Sequence, residues 1–175
     1  AWNWEDAAML TDDAIHLNWP GRYAMQFDYS TYTVNRVPNE RYEEQVQTLE
    51  NLFADAQAHF ELEGDREPNL KLEAMQGVLD GSKALHLHAE EAREIVESIK
   101  FLQSQGVDRI VLVGGYEAHL VTDFLKENEI PVIVDNVHRL PERPEEDVDQ
   151  PYKLPAQLHN AGLLVGLCYD IGMNS

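Results

Sequence analysis

A chain of 175 residues with 13 Lys and Arg against 32 Asp and Glu carries a formal net charge of −19; phosphate contacts need clustered cations, so this balance argues against a nucleic-acid partner. Hydrophobic residues make up 43% and charged residues 26%, proportions of a domain that folds on a core, with the acidity carried on its surface. The single cysteine, Cys168, allows no internal disulfide, and no apolar run approaches the roughly 18 residues that suggest a membrane span.

In chain order, Ala1-Trp2-Asn3-Trp4 has neither a basic n-region nor an apolar h-region and is expected to be a cut end within a longer protein, not a signal peptide. Glu5–His16 places Ala7, Ala8, Leu10, Ala14 and Ile15 at helical spacing, and Trp19-Pro20-Gly21 stops it. From Arg22 to Asn39 the aromatics Tyr23, Phe27, Tyr29 and Tyr32 follow no assignable period, which predicts a loop. Glu40–Leu62 is the clearest helix: Tyr42, Val46, Leu49, Leu52, Phe53, Ala56 and Phe60 share one face. Gly64–Pro68 is a polar break, and Asn69–Leu79 restarts a helix that Asp80-Gly81 ends.

Past Gly81 short apolar runs alternate with amphipathic helices. Strands are predicted over Ala84–His88, Ile110–Val113, Pro131–Val134 and Leu163–Leu167, and helices over Glu90–Gln105 and Tyr116–Asn128. Parallel pairing requires crossovers of this length, so the class is α/β with parallel βα units, preceded by a helical segment. The connection from Asp135 to Asn160 is rich in Pro and acid, and loops this long are uncommon unless they are functional or lids. The length suits one domain over residues 1–175, with 1–80 mostly helical and 81–175 built of βα units. It falls short of the roughly 250 residues of a complete (β/α)₈ barrel.

In parallel α/β proteins ligands bind beyond the carboxyl ends of the strands. At the first strand end His86 and His88 share one face, opposite Leu85 and Leu87. Two imidazoles there are either metal ligands, since neutral His suits Zn²⁺, or partly exposed polar residues. The second strand runs into Gly114-Gly115-Tyr116-Glu117; this is either an anion-binding approach at a helix N-terminus or a plain tight turn, and it has neither a dinucleotide fingerprint nor a phosphate-loop Lys. The third strand ends in Asp135-Asn136-Val137-His138-Arg139 and the fourth in Cys168-Tyr169-Asp170. Asp170 is a candidate general base or a turn cap, and Tyr116, Glu117 and His138 are the candidate substrate-binding side chains. His16, His59 and His159 fall in helical patterns and are expected at the surface or at caps.

The runs Leu72–Gly81, Leu85-His86-Leu87-His88-Ala89 with Ala92-Arg93-Glu94-Ile95, Val111–Ala118, Ile130–Ile133 and Leu158–Gly162 closing on Tyr169-Asp170 together resemble the later part of imidazolonepropionase-like members of the metal-dependent amidohydrolase superfamily. The resemblance covers about residues 70 to 170. It implies a TIM barrel of which these strands are the fifth to eighth, with a first-strand His-x-His pair outside the chain. It implies that His88 is a ligand to zinc or another divalent metal and that Asp170 is the metal-bound general acid/base. The family's sixth-strand metal-ligand His falls on Gly114, which cannot bind a metal. The expected function is hydrolysis of a non-peptide carbon–nitrogen bond in a small cyclic or amide substrate by metal-activated water, with this portion incomplete or inactive on its own. The alternative is a non-catalytic α/β domain binding a ligand or partner at the same strand ends; a self-contained flavodoxin-like domain is a third possibility. A part-barrel leaves unpaired backbone on its two outer strands, so the helices of residues 1–80 are expected to shield one side, or two copies to associate as a homo-oligomer.

Overall fold

The structure, a computed structural model, describes residues 13–62, 68–139 and 147–168. Strand β1 (Ala14–Asn18) is followed by a hairpin of β2 (Tyr23–Asp28) and β3 (Thr33–Pro38). Helices α1 (Tyr42–Glu61), α2 (Leu70–Ala74) and α3 (Gln76–Leu79) lead to β4 (Ala84–Ala89). Then come α4 (Ala92–Ser104), β5 (Ile110–Gly114), a short 3₁₀ turn (Ala118–Leu120), α5 (Thr122–Glu127), β6 (Val132–Val134), α6 (Gln150–Asn160) and β7 (Val165–Leu167).

The five main strands form one parallel sheet in the order β1-β4-β5-β6-β7. This is the α/β class that the alternation of apolar runs and helices predicts. Along β4 the side chains alternate. Leu85 and Leu87 lie in register with Ile15 and Leu17 on β1, and Leu87 with Leu112 on β5; they point into the helix layer and are fully buried with Ile95, Ile99 and Leu102 of α4. His86 and His88 point the other way and are only half-buried. One face of the sheet therefore builds the core, and the opposite face presents imidazoles at the strand ends.

Four expectations are corrected. Residues 14–18 form a strand, not the end of a helix: Ile15 and Leu17 alternate with His16 and Asn18, and that alternation pairs with β4. The rest of the Glu5–His16 expectation lies outside the described residues. Arg22–Asn39 is a hairpin, not a loop, in which Tyr23, Met25 and Phe27 share one face and Ala24, Gln26 and Asp28 the other. The connection after β6 contains α6, which starts at the Pro151 turn and buries Leu154 and Leu158. The predicted helix over 69–79 divides at Met75 into α2, capped by the Asn69 side chain, and α3. Gly81 and Gly106 take the left-handed conformations that end their helices, at φ +75° and +81°. No helix among the described residues is long and apolar enough to cross a membrane.

The β4 edge is covered by a fifth parallel strand, β1, and not by helices. The strands in hand thus include one that precedes the four read from the sequence. The hairpin leaves the carboxyl end of β1 and is latched to α4. The Arg22 guanidinium donates twice to the Glu97 carboxylate, at 2.7 and 2.5 Å from Nη2, and stacks over the Tyr42 ring at 4.4 Å. Arg36 pairs with Glu91 and lies 3.8 Å from the Tyr23 ring centroid. These contacts fix the hairpin base at the strand-end side of the sheet.

The same latch buries a carboxylate. Glu94, 6% exposed, accepts from the Arg22 backbone N–H at 2.7 Å. Burial first, and then the neighbouring Glu91 charge, push its carboxyl above the ordinary range, against the Arg22 hydrogen bond that pulls it down. The folded protein therefore holds the Glu94 proton more tightly than the unfolded chain does, and stability falls as pH rises through the carboxylate range. Glu94→Gln keeps the acceptor oxygen and removes the charge. It is expected to unfold at a higher temperature than wild type at neutral pH in calorimetry. The gap should close below the unfolded carboxylate value of about 4.3, where Glu94 is protonated in both states; a variant less stable at neutral pH would show that the charge is not penalised.

Candidate functional site

The carboxyl ends of β1 and β4 bring three imidazoles together. His16 Nδ1 and His88 Nε2 are 2.8 Å apart, joining residues 72 positions apart in sequence. The His16 ring meets the His86 ring edge-on at a centroid distance of 4.9 Å and lies 5.1 Å from the His88 ring. His86 sits level with His16 in the register, one step below the strand end. Burial, and then the neighbouring His16 and His88, hold the His86 imidazole below its ordinary pKa, so it favours the neutral form. His16 was expected in a helical pattern; the strand turns it toward His88, and the signal that could have found it is the Ile15/Leu17 alternation ended by Pro20-Gly21.

Beside this cluster the ends of β4, β5 and β6 are knit by Glu90. Its carboxylate Oε2 accepts from the Tyr116 backbone N–H at 2.9 Å and faces the Arg139 guanidinium at 3.5 Å, while Arg139 stacks over the Tyr116 ring at 3.9 Å. The Glu90 carboxylate fills the space above Gly114: a Cβ built on Gly114 would lie 2.5 Å from Glu90 Oε1. Neither Glu90 nor Arg139 stands out in the sequence, because one lies in a run of acids and the other in the loop after β6.

The structure places the other sequence candidates as follows. Tyr116 is 6% exposed, its ring under Arg139. The Glu117 carboxylate accepts from the Ala92 backbone N–H at 2.9 Å and so satisfies a donor at the start of α4. His138 is exposed on the connection after β6, with its ring 5.5 Å from that of Tyr152. His59 is 9% exposed in α1, and His159 is exposed in α6. Asp170 lies outside the described residues.

The donor set tests the metal that the resemblance implies. The nitrogens of His16 and His88 face each other at 2.8 Å, and two imidazoles on one tetrahedral zinc, at bonds of about 2.0–2.1 Å, stand about 3.3 Å apart. The observed distance is about half an ångström shorter than that and is that of a hydrogen bond between the two rings. Among the described residues no group of three or more His, Cys, Asp or Glu is arranged to hold a metal.

A scan against protein-family models finds no match, and no curated protein matches. Among solved structures the chain is similar to the crystal structure of an amidohydrolase from Thermotoga maritima MSB8, with a TM-score of 0.66 and 23% sequence identity. The match covers 76% of this chain and 36% of that one, so the chain spans about a third of its neighbour's length. The fold is amidohydrolase-like: a five-stranded parallel sheet with helices, consistent with part of a TIM barrel.

Proposed function

We propose that this chain carries part of the active site of a metal-dependent hydrolase that cleaves a carbon–nitrogen bond, other than a peptide bond, in a small cyclic or amide substrate. The observation that carries this reading is the facing pair of imidazoles, His16 and His88, at the carboxyl ends of parallel strands in an amidohydrolase-like fold. On barrels of this kind chemistry sits at that end of the strands. A bound divalent ion supplies Lewis-acid polarisation of the carbonyl and a more acidic water.

The chain's own residues supply the rest. His88 is a ligand, and Asp170, past the end of β7, takes the proton from the attacking water and returns it to the leaving nitrogen. Tyr116, Glu117 and His138 flank the substrate. Tyr116 is held in place by Arg139, and Glu117 is anchored by the Ala92 backbone N–H at the start of α4. The finer substrate class, following the imidazolonepropionase-like resemblance, is a five-membered cyclic amide.

The test is to load the full-length protein with zinc and follow ring opening or amine release over a panel of imidazolones, hydantoins, lactams and simple amides. Turnover of one class, reduced by roughly 10²-fold or more in Asp170→Asn, is the expected result. No turnover across the panel by zinc-loaded protein would overturn the proposal.

A further inference from the structure

We propose that the apolar face of the β2–β3 hairpin is a dimer interface, occupied by the same face of a second copy of this chain. The inference is independent of the hydrolase reading, and it places association on the hairpin and not on the outer strands of the parallel sheet. Tyr23, Met25 and Phe27 share one face of the hairpin, and the register sets Val34 beside Phe27. At the tip Tyr29 and Tyr32 turn their rings onto that of Phe27, at centroid distances of 4.9 and 6.3 Å. The opposite face is small and polar, with Ala24, Gln26 and Asp28. An antiparallel sheet with this alternation normally buries its apolar face against a core. Here every residue of β2 and β3 is exposed or half-buried, and none joins the core of the described residues. A two-stranded sheet is marginal in water by itself, so the apolar face gains most from a partner.

Size and charge select a second copy as that partner. At roughly 200 Å² for a whole aromatic side chain, the six apolar residues together expose on the order of 700 Å², with Tyr29 and Tyr32 at 81% and 82%. That exceeds the largest apolar patch of a typical monomer, about 300–600 Å², and approaches the about 800 Å² that each side gives to a specific interface. The molecule carries a net charge of −19, yet residues 23–38 hold one acid, Asp28, and one base, Arg36. Asp28 lies on the polar face, and Arg36 is already paired with Glu91. Two copies that repel elsewhere can therefore meet here without bringing like charges together. A strongly charged partner would find no complement on this face. A two-fold axis through it sets each hairpin on its own equivalent, the self-complementary arrangement of a cyclic dimer.

The test is analytical ultracentrifugation of the full-length protein over a range of concentration and salt. Wild type is expected to dimerise, and the dimer should tighten as salt screens the repulsion between the two acidic bodies. Phe27→Glu and Phe27→Lys are each expected to weaken it by roughly 30-fold or more. An equimolar mixture of the two variants should recover the dimer, because opposite charges then face each other across the axis. Gln26→Lys, on the polar face, should dimerise as wild type does. Circular dichroism confirms that each variant is folded, and the mixture keeps the test decisive because both variants must fold to recover the dimer. A monomer at every concentration and salt would overturn the proposal, and slow hydrogen exchange in β2 and β3 of that monomer would assign the face to the rest of its own chain. A dimer unchanged in both Phe27 variants, or lost in both and not recovered on mixing, would equally overturn it.

Discussion

Replacing Leu87 with alanine is expected to lower the free energy of unfolding by about 2–5 kcal/mol. Leu87 is fully buried and sits at the centre of β4, in register with Leu17 of β1 on one side and Leu112 of β5 on the other. Its side chain projects into the helix layer, where Ile95, Ile99 and Leu102 of α4 are equally buried. A close-packed surround of this kind relaxes only in part when three carbon atoms are removed, so the loss is the transfer free energy plus that of a residual cavity. Against a typical total of about 5–15 kcal/mol, this is a large share. Urea denaturation should show a lower midpoint with an unchanged slope, because the surface exposed on unfolding is nearly the same. A loss under about 1 kcal/mol would mean that Leu87 is not packed into the core between its strand neighbours. The imidazoles of His86 and His88 face the other side of the sheet, so the folded variant should keep its site.

The contrast between the two faces of β4 explains what could be read from residues alone. Leu85, Leu87 and the stripe of Ile95, Ile99 and Leu102 were legible because burial repeats with the period of the element, two in the strand and near 3.6 in the helix. Strand β1 was not, since five residues after an alanine-rich run carry a helical spacing as readily as an alternation, and only pairing with β4 decides between them. The hairpin has no Asn-Gly or Asp-Gly turn; Asp28 and Thr33 close it through Tyr29–Tyr32, with Tyr32 at φ +54°. Helix α6 contradicts its own propensity, with Pro155 in its interior; burial of Leu154 and Leu158 overrides that cost. Half of the site was legible in the same way. His88 followed from strand alternation and the rule of strand ends, whereas its partner His16 lies 72 residues away. The Glu90–Arg139 pair spans 49 residues, and no local pattern encodes a contact of that separation.

Gly114 joins the two halves of the site, and returning a side chain there is expected to cost stability without gaining a metal ligand. Its φ of +88° is a conformation that L side chains rarely adopt, and holding a non-glycine residue there costs about 1–3 kcal/mol. A Cβ would also lie 2.5 Å from Glu90 Oε1, so the carboxylate must leave the Tyr116 N–H and the Arg139 guanidinium that it now faces. Gly114→Ala is therefore expected to lose about 1–3 kcal/mol, and Gly114→His at least as much. Although the resemblance places a metal-ligating imidazole at this position, Gly114→His should bind no more Co²⁺ than wild type. Glu90→Ala separates the two costs: with the carboxylate removed, Gly114→Ala should cost only its backbone strain, and the difference between the two backgrounds is the coupling of Glu90 to the glycine. A Gly114→His protein that keeps wild-type stability and binds Co²⁺ more tightly would show that the β5 end is an open ligand position and that Glu90 gives way to it freely.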